Sequence, residues 1–220
     1  MKMRLDEQTI TLRAAKEFQD GDVVNLGYGM PGLCANFIPE GRTTFFQSEN
    51  GVLGYGELAP DEEKDYELIN ACDQPVTRQP GMCFFDSGIS FDMIRGGHID
   101  IVVLGAYQVS EKGDLANWGR PGRPAIGMGG AMDLAVGAKR VIVTMMHTTK
   151  DGEPRIVKKC TYPLTAKECV STIFTDISVI EVTTRGLVLK EIAPGWSSEE
   201  VQKLTEPKLI IAPDIHEIEL

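Results

Sequence analysis

The sequence predicts an α/β protein built on an open, mostly parallel sheet with flanking helices. Two observations carry that expectation. Ile99-Asp100-Ile101-Val102-Val103-Leu104 and Arg140-Val141-Ile142-Val143-Thr144 are nearly continuous apolar runs. Strands covered on both faces read that way, whereas strands with one wet face alternate. Helix and strand patterns also interleave along the chain, the order expected when helices cover a sheet. No repeat period and no Ser/Pro-rich linker divides the 220 residues, so a single domain, 1–220, is expected.

Each element has its own signal. Ile10, Ala14 and Phe18 recur on one face of a helix from about Asp6 to Phe18, with Gly21 after its end. Asp22 to Leu26 reads as a strand entering the glycine turn Gly27-Tyr28-Gly29-Met30-Pro31-Gly32, where Pro31 suits the first turn of a short helix through Ile38. Thr43 to Gln47, β-branched and aromatic, reads as a strand leading to Ser48-Glu49-Asn50-Gly51. Gly127-Met128-Gly129-Gly130 precedes Ala131 to Val136, the start of a helix. Thr165 to Thr175, behind Pro163, reads as helical. Ile177 to Val182 and Leu187 to Leu189 read as strands, and Ser197-Ser198-Glu199-Glu200 has the spacing of a capping box.

Composition narrows the function. There are 32 acidic against 22 basic residues, a net charge of −10. That argues against nucleic acid or an anionic membrane as partner, because both require a basic footprint. No apolar run approaches bilayer length, and the N-terminal residues lack an apolar core of the secretory kind, so a cytoplasmic protein is expected. The five cysteines form no Cys-x-x-Cys pair and are odd in number, which favours reduced thiols. His98, His147 and His216 are too scattered to form a metal cluster, and no metal is expected.

Glu49 is the first candidate for chemistry. It ends an apolar strand, and the Asn-Gly after it suits a turn that lifts a side chain into the crevice where ligands of open α/β sheets gather. The competing reading is a hairpin turn with a solvated Glu. A carboxylate is ionised at neutral pH and attacks without a base to activate it. Gly127-Met128-Gly129-Gly130 offers backbone N–H groups to an oxyanion, or else is a tight turn between packed elements. Asn25 with Gly27-Tyr28-Gly29 either walls the crevice or is a turn needing positive φ. Arg95-Gly96-Gly97-His98 reads as a turn between a helix and a strand. Phe84, Phe85 and Trp118 read as core or as shields of a pocket.

In combination these signals are specific. Ser48-Glu49-Asn50-Gly51, Arg95-Gly96-Gly97-His98-Ile99-Asp100, Gly113-Asp114-Leu115-Ala116-Asn117-Trp118 and Gly127-Met128-Gly129-Gly130-Ala131-Met132-Asp133-Leu134 occur in order. From the first helix to about Pro213 the chain resembles the β subunit of family I coenzyme A transferases, the 3-oxoacid group that includes acetate/acetoacetate, 3-oxoadipate and succinyl-CoA:3-oxoacid enzymes. The resemblance implies the CoA-transferase (NagB/RpiA-like) fold, and Glu49 as the nucleophile that carries CoA between acids through a glutamyl-CoA thioester. It implies the Gly130 N–H at the oxyanion, and Asn25, Asn50, Gly51, Gly127, Met128 and Gly129 around the bound CoA. CoA and acyl-CoA enter as substrates, with no tightly bound cofactor. A separate α subunit is implied, in a heterodimer or an α2β2 heterotetramer. One departure stands out: many relatives read Asn-Ala-Gly-Lys where this chain has Asn70-Ala71-Cys72-Asp73. An acyl-CoA hydrolase using the same Glu, or a non-catalytic scaffold subunit, are the rival functions.

Overall fold

The computed structural model describes residues 2–122, 124 and 127–220. The Asp6 carboxylate caps helix α1 (Glu7–Ala15), its Oδ1 accepting from the Thr9 N–H at 2.8 Å. Strand β1 (Val23–Leu26) leads through Gly29, at φ 85°, into a 3₁₀ turn at Met30–Asn36, tighter and shorter than the helix expected there. Strands β2 (Phe45–Ser48) and β3 (Val52–Tyr55) form a hairpin, and a long connection returns through β4 (Cys83–Phe84). Helix α2 (Ser87–Arg95), capped by Asp86, precedes β5 (Ile101–Gly105). Next come β6 (Gln108–Ser110), β7 (Leu115–Ala116), helix α3 (Ala131–Gly137), β8 (Arg140–Thr144) and β9 (Ile156–Val157). The chain closes with β10 (Val170–Phe174), β11 (Ser178–Thr183), β12 (Gly186–Ile192), helix α4 (Ser198–Lys203) and β13 (Leu209–Glu217). At α4 the capping box holds: Glu200 Oε2 accepts from the Ser197 N–H at 3.0 Å.

Ten strands form one sheet in the order β13-β12-β11-β10-β8-β5-β1-β2-β3-β4. The five central strands, β10 through β2, are mutually parallel; β11 and β12 on one side and β3 and β4 on the other add antiparallel, and β13 pairs parallel with β12 at the edge. The central runs are continuously apolar because both faces are buried. Ile101 and Val103 of β5, with Ile142 of β8, pack with Ile10, Ala14 and Phe18 on one face. Val102 and Leu104, with Val141 and Val143, pack with Ile94 and Leu134 on the other. A small sheet, β7-β6-β9, shares that second core through Val109, Leu115 and Ile156. Among the described residues no helix is long and apolar enough to cross a membrane.

The helix expected over Thr165–Thr175 is not there. Residues from Val170 form β10, and Glu168 just before it sits at φ 49°. Ile173 and Phe174 point to opposite faces of the sheet, one into each core. That two-residue period, with β-branched Val170, Thr172 and Ile173, is the pattern of a strand and outweighs the helical spacing read from Pro163 onward. Phe84 also departs from the core reading. It lies on the edge strand β4 and is 67% exposed, whereas Phe85 and Trp118 are half-buried.

Candidate active site

The sheet places a crevice beside β1. From β1 the chain first adds β2 on one side and later β5, β8 and β10 on the other, so strand order reverses there. In open α/β sheets ligands bind outside the carboxyl ends of the strands at such a point. Glu49 stands there, one residue beyond β2, and Tyr28 stands beyond β1.

Glu49, Asn50 and Gly51 are the loop of the β2–β3 hairpin, closed by the Gly51 N–H donating to the Ser48 carbonyl at 3.0 Å. The residue with positive φ is Gly51, at 110°. A Cβ there would lie 1.8 Å from the Phe85 carbonyl oxygen, so both conformation and space demand glycine. The hairpin reading of this segment therefore holds, but its corollary of a solvated Glu does not. Glu49 turns inward and is partly buried. Loss of water raises its pKa above the ordinary carboxylate value, opposed by its own backbone N–H and by the Asn25 amide. No cation pairs with it among the described residues.

A buried polar chain supports the carboxylate. Asn25 and Gln47 are register partners on β1 and β2, both fully buried. Asn25 Nδ2 donates to Gln47 Oε1 at 2.7 Å and reaches Glu49 Oε2 at 3.5 Å. Gln47 Nε2 donates to Ser90 Oγ on α2 at 2.6 Å, and Ser90 Oγ donates to the Ser48 carbonyl at 3.0 Å. Asn25 Oδ1, buried in this group, has no partner among the described residues. An unpaired acceptor in such a place costs free energy and favours a ligand that donates to it.

Gly130 closes the other side, and its reason for being glycine differs from its neighbours'. Gly127 and Gly129 have φ of 118° and 51° with open space around them, so their backbone conformation requires them. Gly130 has an ordinary φ of −84°, but a Cβ would lie 2.8 Å from Glu49 Oε1 and 3.1 Å from Phe91 Cζ. Space requires it. Its backbone N–H has no acceptor among the described residues. Arg95 Nε, donating to Asp133 Oδ1 at 2.8 Å, ties α2 to α3 and so holds this loop against Glu49. Met128 is exposed beside it.

A third wall is fastened to both neighbours of Glu49. Ser48 Oγ accepts from the Ala71 N–H at 2.7 Å, and Asn50 Nδ2 donates to the Ile69 carbonyl at 2.7 Å. Asn50 thus spends its side chain holding loop 69–74. Within the loop Asn70 Oδ1 accepts from the Cys72 and Gln74 N–H groups at 2.8 and 3.1 Å, and Asp73 takes a φ of 58°. Asp73 is exposed and Cys72 buried. Burial, then the charge of Glu49, pushes the Cys72 thiol up to about 12. Burial likewise raises Cys160 and Cys169 to about 11. These thiols donate to backbone carbonyls and lie against no histidine, so the structure favours none as a nucleophile.

The structure therefore gathers Glu49, Asn25 and Gly130 in one crevice, with Gly51 buried under the turn and Gly127 to Gly129 leading into it. Gln47, Ser90 and Phe91 were not singled out in the sequence, and Cys72 entered only as part of the departure Asn70-Ala71-Cys72-Asp73. Gln47 left a trace, as a polar residue following Phe45 and Phe46 in a strand.

The model for the family described as coenzyme A transferase matches residues 7–204. One of the subunits of the 3-oxoadipate CoA-transferase of Acinetobacter baylyi is 49% identical over 210 residues, covering 95% of this chain and 97% of that one. The human mitochondrial succinyl-CoA:3-ketoacid coenzyme A transferase 2 is 50% identical over 208 residues, and this chain spans 40% of its length. In three dimensions, an acyl-CoA transferase apoenzyme from Escherichia coli O157:H7 superposes with a TM-score of 0.75 at 20% identity, over 100% of this chain and 44% of that one. That likeness shows the fold.

Proposed function

The chain belongs to the coenzyme A transferase family, and from that premise we propose that it is the catalytic subunit of a 3-oxoacid CoA-transferase, acting through Glu49. The observation that carries the reading is a carboxylate drawn out of water at the strand-reversal crevice, with no cation paired to it among the described residues and with Gly130 packed against it. Burial that raises its pKa also raises its basicity, and hence its reactivity toward a carbonyl carbon once ionised.

Glu49 attacks the thioester carbonyl of an acyl-CoA. The C–S bond breaks, and the products are the CoA thiolate and an acyl-glutamyl anhydride. The thiolate then attacks the glutamyl carbonyl, releasing the first acid as its carboxylate and leaving a glutamyl-CoA thioester. A second acid reverses the sequence: its carboxylate displaces the thiolate from the glutamyl carbonyl, and the thiolate takes the new acyl group, regenerating Glu49. Each tetrahedral step places charge on an oxygen, for which the Gly130 N–H is the donor on this chain. A partner α subunit supplies a second donor and completes the acid-binding surface. Water would hydrolyse either intermediate, so the partner also serves to close the crevice. Asn25, with its unpaired Oδ1, faces the incoming CoA.

Borohydride treatment of the α/β complex after exposure to acyl-CoA tests this. Mass spectrometry should find a reduced side chain at Glu49 that depends on acyl-CoA. An unmodified Glu49 in an active complex would refute the covalent role. Thioester loss that is indifferent to an acceptor acid would instead identify a hydrolase.

A further inference from the structure

The polar series that runs from Ser90 through Gln47 and Asn25 to Glu49 has a direction as well as a position. Ser90, Gln47 and Asn25 are each fully buried. The oxygen and nitrogen of a side-chain amide have nearly the same shape, so only the hydrogen bonds decide which way Gln47 and Asn25 face. The fixed end is the main chain. The Ser48 carbonyl can only accept, and it takes the single Ser90 hydroxyl hydrogen at 3.0 Å. Ser90 Oγ is left to accept, so the Gln47 group 2.6 Å away is its NH2. That turns Gln47 Oε1 toward Asn25, and the Asn25 group 2.7 Å from it is NH2 in turn. The same nitrogen lies 3.5 Å from Glu49 Oε2.

An ionised Glu49 also only accepts. Both ends of the series are therefore acceptors, and one direction satisfies both. The reverse would set Asn25 Oδ1 against the carboxylate, oxygen to oxygen, and would take the hydroxyl from the Ser48 carbonyl. Ser90 is well placed to set the direction. It stands in the first turn of α2, where its N–H donates to the Asp86 carbonyl and Asp86 Oδ1 accepts from the Ile89 N–H, each at 3.1 Å. The next residue, Phe91, is the one that crowds Gly130. One helix thus braces both sides of the carboxylate.

We propose that Ser90 and Gln47 are positioning residues for CoA transfer: they hold the Asn25 amide with its NH2 toward Glu49, so that the nucleophile meets a donor and keeps one orientation against Gly130. Their part in the reaction rests on the role proposed above for Glu49. Burial raises the Glu49 pKa, and the Asn25 donation works against that rise. Other ionisable groups around Glu49 do not share this task. Burial raises the Tyr55 phenol on β3 and pushes the Cys72 thiol of loop 69–74 up to about 12, so both are neutral near pH 7. Asp73 in that loop is exposed, and Arg95 of α2 and Asp133 of α3 are paired with each other.

The test uses Ser90→Ala and Gln47→Met. Ser90→Ala strands the Gln47 NH2 without an acceptor, free to turn to Asn25 and carry that amide over. Gln47→Met nearly keeps the volume and removes both contacts. In NMR titrations of the full chain carrying ¹³C-labelled glutamate, the Glu49 carboxyl should titrate at higher pH in both variants than in wild type. In the α/β complex, kcat for CoA transfer should fall about tenfold in Gln47→Met, as on loss of a hydrogen bond to a charged group, and roughly fivefold in Ser90→Ala. The acid limb of the pH profile should move upward with the NMR curve, and KM for the acceptor acid should change little. A brace that served stability alone would lower the melting temperature and leave the titration in place. Wild-type titration of Glu49 in both variants would therefore overturn the proposal, whatever their melting temperatures. Should Glu49 be labelled by acyl-CoA and borohydride while its titration does not move, only the positioning role falls. Should the titration move while Glu49 is never labelled, the transferase reading falls and the hold on the Asn25 amide stands.

Discussion

Two sets of buried glutamates in this molecule are treated in opposite ways. Glu191 on β12 receives Arg13 in a fork, from Nε at 2.8 Å and Nη2 at 2.5 Å. Glu17 takes a second bond from Arg13 at 2.9 Å and one from Arg140 at 2.5 Å. Burial works against the Glu17 anion, but the two arginines outweigh it and hold its carboxyl below the ordinary value. Glu49 has no such partner among the described residues, only its own backbone N–H and the Asn25 amide at 3.5 Å, and burial wins. The lesson is one of allocation. Where the charge is answered within the fold, the carboxylate stabilises α1 against the sheet. Where it is left unanswered, it is held in a costly state that a reaction can relieve.

That contrast can be broken by substitution. The largest effect expected is on catalysis: Glu49→Ala should lower CoA transfer by the α/β complex by at least about 10⁴-fold, as loss of a nucleophile does. The melting temperature should be nearly unchanged. Arg13→Ala should do the reverse, leaving Glu191 buried and unpaired at a cost of about 3 kcal/mol or more in chemical denaturation. Replacing both Arg13 and Glu191 by apolar residues should recover much of that loss. Gly130→Ala forces a methyl to within 2.8 Å of Glu49 Oε1. Displacing a reacting group by about 1 Å should lower kcat by about 10²-fold, and a thermal melt should confirm that the fold survives.

The smallest effect concerns pH and sharpens the comparison most. Glu49 has a raised folded pKa, so wild-type stability lost to its ionisation is absent below the ordinary value of 4.5 and grows as pH rises through the folded pKa. Glu49→Gln should therefore be more stable than wild type at pH 8 and indistinguishable from it at pH 4. Glu17 has a lowered folded pKa, so its contribution is present above 4.5 and disappears as pH falls through the folded value. Glu17→Gln should be less stable than wild type at pH 8, with the deficit shrinking in acid. Parallel denaturation curves for the two variants across pH would contradict the contrast.

Much of the fold was legible locally. The runs at Ile99–Leu104 and Arg140–Thr144 announced buried central strands, because burial on both faces leaves no polar alternation to hide them. The segment Thr165–Thr175 misled because a short β-branched stretch behind a proline supports either period until a neighbouring strand claims it. In the site, Glu49 was legible from the turn that follows its strand, but its environment was not. Hairpin and solvated side chain were read as one alternative, whereas the hairpin exists and the side chain turns inward.

What the sequence determined by itself is the class of fold, its central strands and caps, and an ordered set of motifs that singles out Glu49. These depend on the period of side chains along one segment and on the conformations glycine alone permits. The tertiary structure alone decided that Gln47 and Ser90 brace Asn25, that Gly130 is small because Glu49 lies against it, and that loop 69–74 is fastened to both neighbours of Glu49. Each of those facts joins residues far apart in the chain, and only the packing of one strand end beside another brings them within reach.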